Sequence, residues 1–362
     1  MTSDRTLPTA DRIEAALAAH DGPWGSTSRV HQVEDLSPGL GQAAVMRVHT
    51  TDRNTANQTQ WIVKIPGGGA RSLLDSQDAQ LNDREVAFFR STLPARLPTG
   101  ITTPPAAVIP GDHGREWIVM RDLGPALANP WTPEATATAA ARLALLHTPV
   151  AADPALLDLP FLERTGHHAY AHHVPSGHDN LEALPTDPRL ADLFTPAQVR
   201  ALHRCLDAAE ALADRAARLP PTLVHGDFTP RNTGLDSTQT LVLIDWEHAG
   251  VGPVGFDLAT FVAMHQAFGG LGALDERALL KTYSRALAEV TGTDLADQAE
   301  AGFAIVHLTW GLHLRLGPGL AAVRLGAFDH APAQRSAALE DIRTGCLRAL
   351  LWAGAAGVDA GS

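Results

Sequence analysis

Lysine is nearly absent from this chain: of its 28 basic residues only Lys64 and Lys281 are lysine. Cysteine is scarce too, with Cys205 and Cys346 far apart and in no metal-type spacing, so a disulfide framework is not needed and a reducing cytosol fits. Basic charge is outweighed, 28 against 40, which leaves −12 and no basic stripe. That balance argues against nucleic acid and against an anionic membrane surface. No apolar run approaches the ~18 residues of a membrane span, and the start Met1-Thr2-Ser3-Asp4-Arg5 lacks the basic and apolar regions of a signal peptide. The chain is therefore expected to be soluble and cytoplasmic. With 362 residues, 45% of them hydrophobic, it exceeds one ordinary core and should form two lobes or domains.

Against this background one stretch stands out: His225-Gly226-Asp227-Phe228-Thr229-Pro230-Arg231-Asn232, followed by the apolar Leu241-Val242-Leu243-Ile244 and then Asp245-Trp246. Phosphoryl transfer needs an Asp near the attacking hydroxyl, with an Asn and a second Asp to hold the magnesium ions that bridge nucleotide phosphates. Asp227 and Asn232 have the loop spacing of the first pair, and Asp245 ends a strand, as the metal-holding Asp does. The bland alternative is a hairpin rich in turn-forming Asp, Pro and Asn. A lysine kept in the apolar strand Trp61-Ile62-Val63-Lys64-Ile65 of a lysine-poor chain points the same way. A compact ammonium reaches between two phosphates where a broad guanidinium needs a wider slot. In the following helix, expected over about Asp78 to Leu93, Glu85 is the candidate to orient Lys64, with Asp83 its rival.

The wording His-Gly-Asp resembles the aminoglycoside phosphotransferase and choline kinase superfamily more than protein kinases. No Ala-Pro-Glu activation segment follows Asp245, and Gly252-Pro253-Val254-Gly255 arrives almost at once. The resemblance covers most of the chain, from about Val30 to the last helix, and implies a two-lobed, protein-kinase-like α+β fold. Its antiparallel-sheet lobe would span 1–123 and a mostly helical lobe 124–362, with ATP in the cleft. Carried over by position, Asp227 is the catalytic base, Asn232 and Asp245 hold Mg2+, and Asp257 is a buried anchor for the catalytic loop. Arg231 departs from the pattern, since a small residue is common before the Asn; its side chain can point to solvent or to phosphate.

For the nucleotide, the turn Ser37-Pro38-Gly39-Leu40-Gly41-Gln42 could lay backbone N–H groups over phosphates through Gly39 and Gly41, or be a plain hairpin turn. Pro66-Gly67-Gly68-Gly69 lacks the Gly-Lys-Ser/Thr ending of a P-loop and reads as a connection. The strand Trp117-Ile118-Val119-Met120, running into Arg121-Asp122, corresponds to the superfamily's interlobe linker. This places Met120 and Asp122 beside the nucleotide, with backbone groups pairing to adenine.

Helices are expected over Thr9–Ala19, Pro133–His147 and Thr195–Leu219. His167, His168, His172, His173 and His178 crowd one segment. His168 and His172 could share a helix face and bind a metal, line a loop near the substrate mouth, or be plain surface. The expected activity is transfer of the γ-phosphoryl of ATP to a hydroxyl of a small molecule. An antibiotic-type, cationic acceptor leads, because the insertion from His167 to Arg189 leaves room for bulk and Asp179, Glu182 and Glu247 suggest a negative mouth. A sugar or amino-alcohol kinase and a catalytically dead kinase-fold binder are the alternatives.

Overall fold

The structure, a computed structural model, describes residues 7–360 except 21, 23, 26–27, 37–42, 68–80, 125–130, 149–153, 165 and 266–273. Its α+β chain groups by contacts into two units, residues 1–129 with 233–249, and 130–232 with 250–362. The lobe boundary expected after residue 123 is a single cut, whereas this grouping is discontinuous, because the hairpin leading to Asp245 goes with the sheet unit.

The first unit opens with α1 (Ala10–Ala18), capped by the Thr9 side chain. Strands β1 (Ser28–Asp35), β2 (Ala44–Asp52) and β3 (Gln58–Ile65) follow, then α2 (Leu81–Arg90), β4 (Ile101–Thr102), β5 (Ala106–Pro110) and β6 (Glu116–Arg121). Five of these strands form an antiparallel sheet in the order β1-β2-β3-β6-β5. The pleat decides what each face holds, since successive side chains point to opposite sides. Trp61, Val63 and Ile65 of β3 join Met46, Val48, Trp117 and Val119 in one cluster with Ile13 and Leu17 of α1. Ile62 packs on the other face, against Val86 of α2, Ile118 and Met120. Lys64 belongs by alternation to that second face and is paired in register with Val45 and Ile118.

Strand β7 (Pro221–Val224) belongs to the second unit, whereas β8 (Thr233–Leu235) and β9 (Leu241–Leu243) return to the first. There β9 pairs antiparallel with β8 and parallel with β4.

The second unit is mostly helical: α3 (Pro133–Leu146), α4 (Val174–Ala183), α5 (Pro196–Asp207), α6 (Ala209–Ala217), α7 (Phe256–Met264), α8 (Glu276–Thr291) and α9 (Ala296–Val306). Strand β10 (Gly250–Pro253) pairs antiparallel with β7. The single helix expected over Thr195–Leu219 is two, parted at Ala208, where φ −83° and ψ 0° leave the helical well. A Thr195–Gln198 capping box with Pro196 in the first turn starts the first of them. Beyond α9 the helical run is interrupted by π-helical turns at His307–Gly311 and Arg315–Gly319, the second containing Pro318. Among the described residues no helix is long and apolar enough to cross a membrane.

Trp61 is 3% exposed, meets Trp24 edge to face at 6.0 Å and donates to Thr50 Oγ1 at 3.1 Å. Trp61→Ala should therefore cost about 3–5 kcal/mol through the lost burial and the cavity left behind. Thermal unfolding checks this as a clear fall in Tm; a cost under about 1 kcal/mol would contradict a tightly packed cluster.

Candidate active site

In the sheet unit the site grows from Lys64, whose side chain is 8% exposed and surrounded by carboxylates. Its Nζ lies 2.6 Å from Glu85 Oε2 and 3.4 Å from Glu247 Oε2, and it also contacts Asp245 Oδ1. Geometry selects Glu85 over Asp83: Glu85 is 1% exposed and faces the sheet, while Asp83 is exposed. The second Glu85 oxygen accepts the Trp246 N–H at 3.2 Å, which ties α2 to the turn after β9. Trp246 stacks on Phe88 at 4.2 Å, and buried Arg84 donates to the Glu247 carbonyl at 2.7 Å. Three consecutive residues of that turn are thereby fixed to α2 and β3. Asp245 itself is left-handed, φ 68° and ψ 66°, a conformation Asp adopts more readily than most side chains. It breaks the strand and lets Asp245 and Glu247 both reach Lys64 while Trp246 is buried.

Burial opposes the Lys64 charge, but Asp245, Glu85 and Glu247 outweigh it and hold the ammonium well above its ordinary pKa. Burial pushes Glu85 up to about 7, against the pull of Lys64, and the negative fields of Asp245 and Glu247 add to the rise.

Met120 is buried against Ile118 and Val86. The Asp122 carboxylate is engaged by Arg47 Nε at 2.5 Å and the Gly124 N–H at 2.8 Å, and its own N–H donates to Gln60 O at 3.0 Å. Those bonds fix the turn after β6. Gly39 and Gly41 lie outside the described residues.

In the helical unit the loop after β7 is built around Asp257, which is 0% exposed. Its oxygens accept the backbone N–H of His225 at 2.7 Å and of Gly226 at 3.0 Å. His147, at the C-terminus of α3, approaches Asp257 Oδ2 with Nε2 at 3.3 Å and the Tyr283 hydroxyl with Nδ1 at 2.5 Å. Tyr283 in turn accepts the Gly255 N–H at 3.2 Å. Gly255 has φ 90°, and a Cβ there would stand 2.4 Å from Ala299 O, so only glycine lets α7 begin where it delivers Asp257. Thr260 and Trp131 hold the carbonyls of Phe228 and Pro230 at 3.3 Å each. On this pinned loop Asn232 Nδ2 donates to Asp227 Oδ2 at 2.6 Å and to its carbonyl at 3.2 Å. The amide oxygen of Asn232 accepts no hydrogen bond from the described residues and remains a hard donor for a cation.

Sequence reasoning missed Arg84, His147, Tyr283 and the link from Glu247 to Lys64; the Glu247 position, two beyond Asp245, was the available signal. Glu247, expected at an acceptor mouth, lies 3.4 Å from Lys64. Asp179 and Glu182 are exposed on α4. The histidine segment is divided. His167 is buried, bonded through Nδ1 to Thr309 at 2.6 Å and pushed down to about 3 by burial; His168 is exposed, 3.8 Å from Asp214; His178 and His203 stack with Nδ1 atoms 2.6 Å apart. Among the described residues no group of three or more His, Cys, Asp or Glu side chains is arranged to hold a metal. Magnesium asks for less, because it keeps several waters and takes one or two carboxylates together with phosphate oxygens.

The sequence profile of the phosphotransferase enzyme family matches residues 33–292. Among solved structures, the microcompartment-associated aminopropanol kinase superposes with a TM-score of 0.55 at 17% identity, over 96% of this chain and 99% of that one. Spectinomycin phosphotransferase, solved with ADP and spectinomycin, gives 0.55 at 13% identity over 96% and 99%. Choline kinase from Cryptosporidium parvum Iowa II gives 0.54 at 13% identity over 95% and 98%. At these identities the likeness is one of fold, the kinase-like α+β fold expected from the sequence. No curated protein sequence matches the chain.

The raised pKa of Glu85 sets a pH dependence. The folded protein holds this proton more tightly than the unfolded chain, so the contribution to stability is full below pH 4.5 and is lost as pH rises through about 7. Unfolding free energy of the ligand-free protein should fall across that window by roughly 3 kcal/mol at most. Denaturant titrations at several pH values test this. Glu85→Gln should flatten the slope, and an unchanged slope would place the titration elsewhere.

Proposed function

The chain belongs to the phosphotransferase enzyme family, and we propose that it transfers the γ-phosphoryl group of ATP to a hydroxyl of a small molecule. The observation that carries this reading is the hydrogen-bonded pair Asp227–Asn232 on a loop whose backbone is clamped by a fully buried carboxylate. That arrangement presents Asp227 in a fixed orientation, which is what a base or positioning group for an incoming hydroxyl requires. Asp227 accepts the hydroxyl proton, and Asn232 holds the carboxylate in place through Nδ2. Lys64, set by Glu85, meets phosphate as a compact point charge.

Asn232 Oδ1 in the helical unit and the Asp245 carboxylate in the sheet unit are each hard donors of the kind magnesium takes, and each would serve as its ligand, the metal supplying neutralisation of the phosphate charge. Met120 would border the base, and Asp122 serves by fixing the turn after β6.

For the acceptor, an antibiotic-type cationic compound is the reading we favour, with a sugar or amino-alcohol kinase as the alternative. Tyr170 supports it. Burial, and then the negative fields of Glu163 and Asp227, push the Tyr170 phenol above its ordinary value, so Glu163 and Asp227 both lie near Tyr170 within this unit. Glu163 is held there by its backbone, accepting the Val251 N–H at 2.9 Å beside Gly250, which opposes Val224 just before the loop.

A screen of hydroxylated antibiotics, sugars and amino alcohols for ATP consumption tests the function. Asp227→Asn should cut kcat about a hundredfold or more while nucleotide affinity stays nearly intact; an equal loss of nucleotide affinity would move Asp227 off the acceptor side. Lys64→Arg should lower activity at least about tenfold, and Lys281→Arg should not.

Glu163→Gln should raise KM for a cationic acceptor and leave ATP kinetics unchanged, with the wild-type kcat/KM falling as salt screens the field over ~10 Å. A neutral best substrate with salt-independent kinetics would favour the sugar-kinase alternative.

A further inference from the structure

A cavity of about 660 Å3 opens in the helical unit, lined by Asn180, Thr186, Asp187, Arg189, Arg324 and Leu325 among others. It shares no lining residue with the loop of Asp227. Its construction starts in the π-helical turn Arg315–Gly319, whose Leu316 and Gly317 carbonyls take side-chain donors. Asn180, 3% exposed, supplies them: Nδ2 donates to Leu316 O at 2.7 Å and to Gly317 O at 3.0 Å. With both amide hydrogens engaged, Oδ1 has a fixed direction, and it accepts Arg324 Nη1 at 2.5 Å. A buried side chain thus sets the plane of a guanidinium at the cavity wall.

A guanidinium carries five N–H donors. Within the described residues Arg324 spends one of them, the bond to Asn180. Asp187, the carboxylate among the named lining residues, feels the Arg324 charge but takes its hydrogen bonds from Arg189. Asp187 accepts Arg189 N and Nε at 3.0 Å each and Nη2 at 2.8 Å, and Arg189 also reaches the Arg324 carbonyl at 3.2 Å. Those bonds hold the Asp187 carboxyl low, at about 2, so it stays an anion committed to Arg189. Beside the open fork stand Ala183, Pro188, Ala321 and Leu325, the last 87% exposed. An oriented fork with unspent donors next to an apolar wall suits an oxyanion attached to a small apolar body.

We propose that this cavity is a second binding site, for a small organic anion whose carboxylate or phosphate group pairs with Arg324 while its apolar part lies against Leu325. The occupant would join the segment around Asp187 to the end of the helical run at Arg324. A chain of net charge −12 repels anions in general, so saturable anion binding requires a local cationic feature of this kind.

The test is calorimetry and thermal melting on the full chain with benzoate, phenyl phosphate, inorganic phosphate and benzyl alcohol, each in the presence of saturating ATP so that the nucleotide elements are occupied. Benzoate or phenyl phosphate should bind saturably and raise Tm, with preference between them telling carboxylate from phosphate recognition. Inorganic phosphate should bind more weakly and benzyl alcohol should not bind. Arg324→Gln should weaken the organic anions about tenfold or more. Leu325→Ser, on an exposed side chain that folding does not need, should weaken them severalfold and leave inorganic phosphate unchanged. Absence of anion binding at about 10 mM, or wild-type binding by both variants, would overturn the proposal.

Discussion

One ammonium holds the sheet unit's candidate site together. Lys64 is anchored in the central strand of the sheet, and the carboxylates that meet it come from α2 and from the turn after β9. Without its charge, Glu85 would be a buried carboxylate with no counter-ion, and Asp245 and Glu247 would repel each other across the gap. The position of α2 against the sheet and the left-handed turn at Asp245 thus depend on the same contact.

The helical unit solves a similar problem differently. Its loop carries the reactive candidates Asp227 and Asn232, and the rigidity comes from behind, where Asp257 takes two backbone N–H groups and is itself backed by His147 and Tyr283. Asp257, His147 and Tyr283 are linked to one another and to the backbone, which keeps the loop in one conformation and makes the network costly to break. Tying the loop to α3, α7 and α8 at once spreads its support over the unit.

Much of this was legible in the sequence. Asp227, Asn232 and Asp245 stood out by spacing, Lys64 by the scarcity of lysine, and Glu85 by its place on the next helix. Strands β3 and β6 were visible from their apolar patterns, and α3 from its alanine-rich run. What was hidden depends on long-range contact. Glu247 reaches Lys64 across 183 residues of sequence and Arg84 reaches Glu247 across 163, separations no local pattern encodes. The break at Ala208 carries no local signal, since alanine favours continuing the helix. The return of residues 233–249 to the sheet unit needs the pairing of β9 with β4, and a two-residue strand such as β4 carries no signal of its own.

The scarcity of lysine also supplies the most direct measurement. With lysine side chains isotopically labelled, the NMR spectrum contains two ammonium signals, and Lys64→Arg removes one and so assigns both. The account predicts that Lys64 shows a slowly exchanging ammonium in the free protein, characteristic of a buried ion pair, and shifts on addition of ATP with magnesium while Lys281 does not. Two signals that both behave as solvent-exposed lysines, with neither moving on ATP addition, would contradict it.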